Sequence, residues 1–238
     1  MIHVNIGRMK KIPDSPQRRS YGGISPEERR QQRRERLIEA GIEAFGTRGF
    51  HAVTVREICN EAQLTERYFY ESFSGLEKLF AAVYARIGLE LKQATLAVLG
   101  RAGAQPIELA EAALRVFFEY VRKDPRRARI LLVEAVGIDA DIHRLAYQAA
   151  RDYTELMRGF FDVLFPEAAA AGFRPELLSA GLIGSNIHIA THWVQDGFRT
   201  PIDEVLYSAM AVYNAMNACW GGRVRKAAAK RKPGKRGR

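Results

Sequence analysis

Residues 54–79, TVREICNEAQLTERYFYESFSGLEKL, constrain the chain more than any other stretch. They read as two short helices around a tight turn, followed by the start of a third. Thr54 and Glu57 place a hydroxyl and a carboxylate where each can satisfy a free backbone N–H of a helix's first turn. Val55, Ile58, Cys59 and Ala62 then fall on one face of a helical period. After Gln63 and Leu64, Thr65 stands at a cap position, and Phe69 and Phe73 stack four apart on the inner face. Advancing ~100° per residue puts Arg67 and Glu71 opposite the phenylalanines, with Tyr68 and Tyr70 on the flanks. A short helix that buries two phenylalanines and aims arginine and tyrosine outward fits a DNA groove. Ser74 and Glu77 repeat the capping spacing and are expected to open the next helix. The plain alternative is a helical hairpin that only packs, which would leave three capping signals and the outward Arg/Tyr set without a reason.

Charge supports a polyanionic partner, but only through its distribution. The net charge is +10; residues 1–36 carry +6, residues 221–238 carry +9, and the stretch between them −5. Basic ends on a mildly acidic body favour phosphate, because neutralisation releases counterions. The tail KAAAKRKPGKRGR is equally readable as a solvated, disordered segment, whereas the basic run 29–36 beside the helical hairpin is expected to touch phosphate.

A length of 238 residues, 47% of them hydrophobic, suffices for a full core and allows two domains. Two cysteines, Cys59 and Cys219, form neither a disulfide framework nor a metal quartet, so a reduced, cytoplasmic setting is expected. Cys59 falls on a core-facing position. The N-terminus lacks an apolar signal region, and no run of ~18 apolar residues is present, so no membrane partner is expected.

From Ser25 onward nearly every segment reads as helix. Ser25-Pro26-Glu27-Glu28 combines a cap, a first-turn proline and first-turn acids; Ile38, Gly41, Ile42 and Phe45 form the stripe that follows, ended at 46–49. Further helices are expected over 75–99, from Pro106 to before Asp124, from Asp124-Pro125 to near Gly137, over 140–165, from Pro175 to Gly197, and from Thr200-Pro201 to Gly221-Gly222. No segment alternates with period two long enough for a sheet. The predicted fold class is all-α, with about nine helices.

Between Arg36 and Leu79 the chain resembles the tetracycline-repressor (TetR) family of one-component bacterial transcriptional regulators. The resemblance rests on AFGTRGF at 44–50, TVREICNEA at 54–62 and TERYFYESF at 65–73; HWVQDGF at 192–198 is similar to the loop between the last two long helices of such proteins. It implies a helix-turn-helix DNA-binding domain and a C-terminal ligand-binding and dimerisation domain. It also implies that Arg56 reaches into the major groove, that Thr65, Glu66, Arg67 and Tyr68 face base edges, and that Thr54, Tyr70 and Ser72 face phosphates. Glu66 either accepts from cytosine N4 or repels phosphate and sets the helix angle. The phosphate-binding lysine that opens the fourth helix in the family is replaced by Leu76; either Lys78 or the helix N-terminus stands in for it.

The implied organisation is a basic leader over 1–24, a DNA-binding domain over 25–74, a ligand-binding and dimerisation domain over 75–222 and a disordered basic tail over 223–238. A homodimer on double-stranded operator DNA is expected, with the last two long helices pairing into a four-helix bundle. Gly181, Gly184, Ala209, Ala211, Ala215 and Ala218 would permit the close approach. Phe117, Phe118, Tyr147, Tyr153, Phe160, Phe161 and Phe165 fit either plain core or the lining of a large apolar cavity for a hydrophobic or aromatic effector. Glu134, Asn186, His188 and His192 are the polar groups placed to orient such a ligand. His188 and His192, four apart, have zinc spacing, but two ligands are too few and no metal is expected. No phosphate-cradling glycine loop or activated nucleophile marks an enzyme, and no cofactor is expected. The reading is a transcriptional regulator, a repressor released by its effector. The alternatives are a sequence-tolerant DNA-binding protein without an effector and an all-α enzyme.

Overall fold

The computed structural model describes residues 25–100, 106–136 and 174–230, with scattered positions between 138 and 159. Among the described residues there is no strand, and the architecture is all-α. Helix α1 (Pro26–Arg48) begins where its sequence starts it: Ser25 Oγ accepts from the Glu28 N–H at 3.1 Å, and the Glu28 carboxylate accepts from the Ser25 N–H at 2.6 Å. The two bonds with Ser25 hold the Glu28 carboxyl below the usual carboxylate range. Its buried stripe carries Leu37, Ile38, Gly41, Ile42 and Phe45. A short 3-10 turn (Phe50–Ala52) leads into α2 (Val55–Glu61) and α3 (Glu66–Ser72), both packed on α1.

Helix α4 (Leu76–Leu99) is the wall between two apolar cores. Leu79, Phe80, Val83, Tyr84 and Ile87 pack with α1, α2 and α3, whereas Leu91, one turn on, belongs to the C-terminal core. Phe45, Phe50 and Phe80 form an aromatic triangle with centroids 5.3–5.6 Å apart. Burying each such ring is worth roughly 1.5–3 kcal/mol. The capping expected from Ser74 does not form: Gly75 is the N-cap and no side chain bonds there.

Helix α5 (Pro106–Lys123) packs on α4 and hands over to α6 (Pro125–Leu132), whose N-terminus is capped by Asp124 with Pro125 in the first turn. A 3-10 turn (Glu134–Val136) follows, so α6 stops earlier than the expected limit near Gly137. The described positions from 140 to 159 are helical, as expected there; Phe160, Phe161, Phe165 and Cys219's side chain lie outside the described residues. Helices α7 (Pro175–Gln195) and α8 (Ile202–Lys230) are joined by a turn in which Gly197 and Phe198 take φ of +67° and +59°. Phe198 packs on Trp193, whose indole N–H donates to Thr200 O at 2.8 Å.

One expected boundary is corrected. Helix α8 does not end at Gly221-Gly222 but runs to Lys230. Glycine costs a helix only about 1 kcal/mol unless the chain uses it for a left-handed cap, and the following RVRKAAAK is strongly helix-forming.

Helix α6 seats on the C-terminal end of α1. Gly46 lies so close to the α6 backbone that a Cβ there would stand 2.7 Å from Arg126 Cα and 2.8 Å from its carbonyl oxygen. Around this contact Arg126 bridges Glu43 and Asp124, and Arg129 donates to Thr47 O at 2.8 Å. Burial alone would raise the Asp124 carboxyl, but hydrogen bonds from Arg126, together with the Arg127 charge, hold it below the usual range. Gly46→Ala is therefore expected to destabilise by about 1–3 kcal/mol, because backbone on both sides must separate. Gly88→Ala, in open space on α4, is expected to stabilise slightly. Urea midpoints at fixed protein concentration check both.

Candidate nucleic-acid interface

The hairpin of α2 and α3 is built from backbone satisfaction outward. Thr54 Oγ accepts from the Glu57 N–H at 3.3 Å, and Glu57 Oε2 accepts from the Thr54 N–H and hydroxyl, both at 2.8 Å. Those bonds hold the Glu57 carboxyl below the usual range, and Arg48 reaches it at 2.9 Å, tying the end of α1 to the start of α2. The Thr54 hydroxyl thus both donates and accepts within the cap.

The turn between the helices places Gln63 in the left-handed region at φ +51°. It is held by Leu64 N–H to Cys59 O at 2.9 Å and by Arg36, whose guanidinium donates to Ala62 O at 2.5 Å and Gln63 O at 3.2 Å. Left-handed geometry costs a non-glycine residue roughly 1 kcal/mol, so an external anchor on this turn matters.

Helix α3 presents the pattern its sequence implies. Phe69 and Phe73 are buried, with centroids 6.0 Å apart, while Thr65, Glu66, Arg67 and Tyr70 are exposed. The Arg67 side chain is 84% exposed and Tyr70 is 57% exposed. Arg56 on α2 is exposed, and Ser72 is half-buried. Thr65 sits at the N-cap, but its side chain makes no cap hydrogen bond, contrary to expectation. Tyr68 is half-buried, with the Arg33 guanidinium 4.4 Å from its ring centroid.

That contact changes the meaning of the basic run 29–36. Arg33 covers Tyr68, Arg34 lies 4.9 Å from the Phe73 ring centroid, and Arg36 holds the turn. Three of the five arginines read as phosphate ligands are therefore scaffolding, because this stretch of α1 lies against α3; Arg29 and Arg30 remain exposed. The positions were visible in the sequence, but their roles depend on which face of α1 meets α3. At the start of α4, Leu76 packs against the N-terminal core and Lys78 is exposed.

The C-terminal residues separate into two groups. Phe117 and Phe118 are buried, Phe118 edge-on to Trp193 at 6.0 Å. Tyr153 shares a hydrogen bond with Thr95 at 3.0 Å, and Asn186 Nδ2 donates to Tyr213 OH at 3.0 Å. Burial raises both phenols, and the Asn186 bond partly offsets this for Tyr213. Asn186 Oδ1 is buried without a protein partner. Thr95 and Tyr213 are further polar groups of this interior, legible in the sequence only from their core-facing positions on their helices.

Four other ligand candidates, the polar Glu134, His188 and His192 and the aromatic Tyr147, are not brought to the interior. Glu134 is committed elsewhere: its carboxylate accepts from the Phe50 N–H at 3.0 Å and from Arg129 Nε at 2.8 Å. Tyr147 is 63% exposed, and His188 and His192 line the exposed side of α7. Phe161 lies outside the described residues. Among the described residues no group of three or more His, Cys, Asp or Glu side chains is placed to hold a metal. No helix among them is long and apolar enough to cross a membrane.

A helix-turn-helix braced by a long first helix, with its second helix open to solvent and a separate helical core behind it, defines a DNA-binding transcriptional regulator. Residues 37–83 match the family model for bacterial regulatory proteins, tetR family. The chain is 24% identical over 193 residues to the HTH-type transcriptional activator FasR of Mycolicibacterium smegmatis, covering 81% of this chain and 84% of that protein. It superposes on a solved protein of Pseudomonas aeruginosa PAO1 with a TM-score of 0.69 at 21% identity, over 79% of this chain and 91% of the other. The regulator FadR from Bacillus subtilis in complex with stearoyl-CoA gives 0.64 at 14% identity, over 75% and 96%. The family match covers residues 37–83, which hold the helix-turn-helix, and the rest of the chain shares the fold of these solved proteins.

Arg36→Ala is expected to lower stability by about 1 kcal/mol and to loosen the turn between α2 and α3. Hydrogen exchange at the Gln63 and Leu64 amides, rising above that of the α1 core, checks it.

Proposed function

We propose that this protein binds a palindromic operator as a homodimer and that a hydrophobic effector in the C-terminal domain releases it, so that it acts as a repressor. The observation that carries the reading is the exposed face of α3, with Arg67 projecting from a helix anchored by buried Phe69 and Phe73. Thr65, Glu66 and Arg67, with Arg56 from α2, supply the base-edge contacts; Tyr70 and the exposed Arg29 and Arg30 supply phosphate contacts. Tyr68, backed by Arg33, contributes through its ring edge.

Dimerisation is supported by an unpartnered face. Leu177, Gly181, Gly184, His188 and His192 on α7 and Tyr207, Ala211, Val212, Ala215 and Ala218 on α8 are exposed in the protomer, Tyr207 at 79%. A Cβ at Gly181 or Gly184 would meet nothing within 4 Å. Ala209 is buried within the protomer and drops out of the expected dimer set.

The effector reading is supported by an apolar C-terminal core whose buried polar groups, among the described residues, include the Thr95–Tyr153 and Asn186–Tyr213 pairs and Ser179. A long acyl chain with a single polar head suits such a lining, and the likeness to a regulator bound to stearoyl-CoA supports that class. An effector acts only through its differential affinity for the released and DNA-bound conformations.

Footprinting of the intergenic DNA beside its own gene is expected to protect a palindrome, with at least ~10³-fold preference over random DNA, and stearoyl-CoA is expected to abolish protection. Equal binding to both DNAs, collapsing with salt, would assign binding to the basic ends instead. Arg67→Ala is expected to fold normally and lose roughly 10- to 100-fold in operator preference. Ala215→Glu is expected to give monomers in sedimentation velocity and to weaken operator binding by about 100-fold. A relative is named an activator; transcription that rises on adding the protein would reverse the sign of regulation and leave the operator reading intact.

A further inference from the structure

On the proposal that Arg67 reads a base edge, we infer that Glu71 sets the specificity of α3 by holding Arg67 away from phosphates until the correct base is presented. The two oxygens of Glu71 face different cations. Oε1 pairs with Arg67 Nε at 3.2 Å, and Oε2 lies 3.7 Å from Arg33 Nη2.

The two partners differ in what they are free to do. Arg33 is a fixed partner: its side chain is 23% exposed, and its guanidinium is stacked over Tyr68. Arg67 is 84% exposed on a long stem, and among the described residues its pair with Glu71 is the contact it would give up. When it leaves, Arg33 keeps the Glu71 charge compensated, so the helix does not acquire an unpaired carboxylate facing DNA.

The consequence is discrimination between DNA sites. On random DNA, Arg67 has only phosphate to gain, a single charge contact in high dielectric that competes poorly with the carboxylate one turn away. At the operator, a guanine edge offers both acceptors to the guanidinium fork, which outweighs the exposed intrahelical pair. Glu71 thereby suppresses non-specific affinity more than specific affinity. Arg33, through Glu71 and Tyr68, is the positioning residue of the same arrangement.

The test is a double-mutant cycle read by fluorescence anisotropy on the footprinted operator and on a random duplex of equal length, across a salt series. The proteins are the full-length wild type, Glu71→Gln, Arg67→Ala and the double variant. Glu71→Gln keeps the size and helix preference of the side chain while removing its charge. It is expected to tighten random-DNA binding about fivefold, to tighten operator binding less, and to steepen the random-DNA salt slope by about one. In the Arg67→Ala background the same substitution is expected to leave the specificity ratio and the slope unchanged. Equal tightening on both DNAs in both backgrounds would make Glu71 a simple repelling charge and overturn the inference. So would an absence of effect, or weakening on both. Retention of operator preference by Arg67→Ala would instead overturn the base-reading role of Arg67, a separate failure that the cycle identifies by itself.

Discussion

The C-terminal turn of α1 and the first two turns of α6 meet backbone to backbone at Gly46, and both halves of the molecule take their positions from that seat. Gly49, at φ +86°, continues it: where its Cβ would stand, Arg129 Nη2 lies at 2.8 Å and the Glu134 carboxylate at 3.1 Å. Arg129 satisfies a carbonyl at the end of α1, Glu134 satisfies the Phe50 N–H of the next turn, and the two pair with each other. The end of one helix and the start of the following turn are thus capped from α6 and the 3-10 turn after it, about 80 residues on in sequence. Helix ends leave such groups without intrahelical partners, so breaking this contact would expose several at once. A second layer surrounds it, in which Arg86 bridges Glu35 and Glu90 while Arg127 joins Glu90 to Asp124. Each exposed pair is worth little alone. Together they fix the relative rotation of α1, α4 and α6.

This geometry limits how the two apolar cores can move relative to each other. Helix α4 belongs to both cores, and α6 bears directly on the helix that carries α2 and α3. A rearrangement around α5 and α6 must either move α1 as a body or break the seat. Close-packed contacts of this kind switch between discrete arrangements rather than deform smoothly. Glu134, in the seat rather than in the interior, therefore joins α6 to the turn after α1.

Along the DNA-facing side, charge is divided between holding the hairpin and presenting it. Arg33, Arg34 and Arg36 are spent on Tyr68, Phe73 and the turn; Arg29, Arg30, Arg56 and Arg67 are left outward. The net charge consequently overstates the number of phosphate contacts the folded domain can make. It is the two basic ends of the sequence, rather than the body, that carry the excess.

Much of the fold was legible because local rules and tertiary packing agree. The boxes at Ser25-Glu28 and Thr54-Glu57, the Asp124-Pro125 start, the stripe from Ile38 to Phe45 and the Phe69–Phe73 pair all depend on spacing within one helix, which sequence states directly. The outward aim of Arg67 is legible for the same reason. What spacing cannot say is which element covers a given face. Arginines at 33, 34 and 36 look like solvent residues until α3 is laid against them, and Glu134 looks like a polar intruder until the Phe50 N–H arrives 84 residues away in sequence. His188 and His192 share a helix face in any reading, but only the packing of α7 turns that face outward. The sequence by itself determined the helices, the starts at Ser25, Thr54 and Asp124 and the apolar stripes, because these are set by contacts within a few residues. Only the tertiary structure decided which charges are structural and which are presented, because that depends on partners brought together from distant segments.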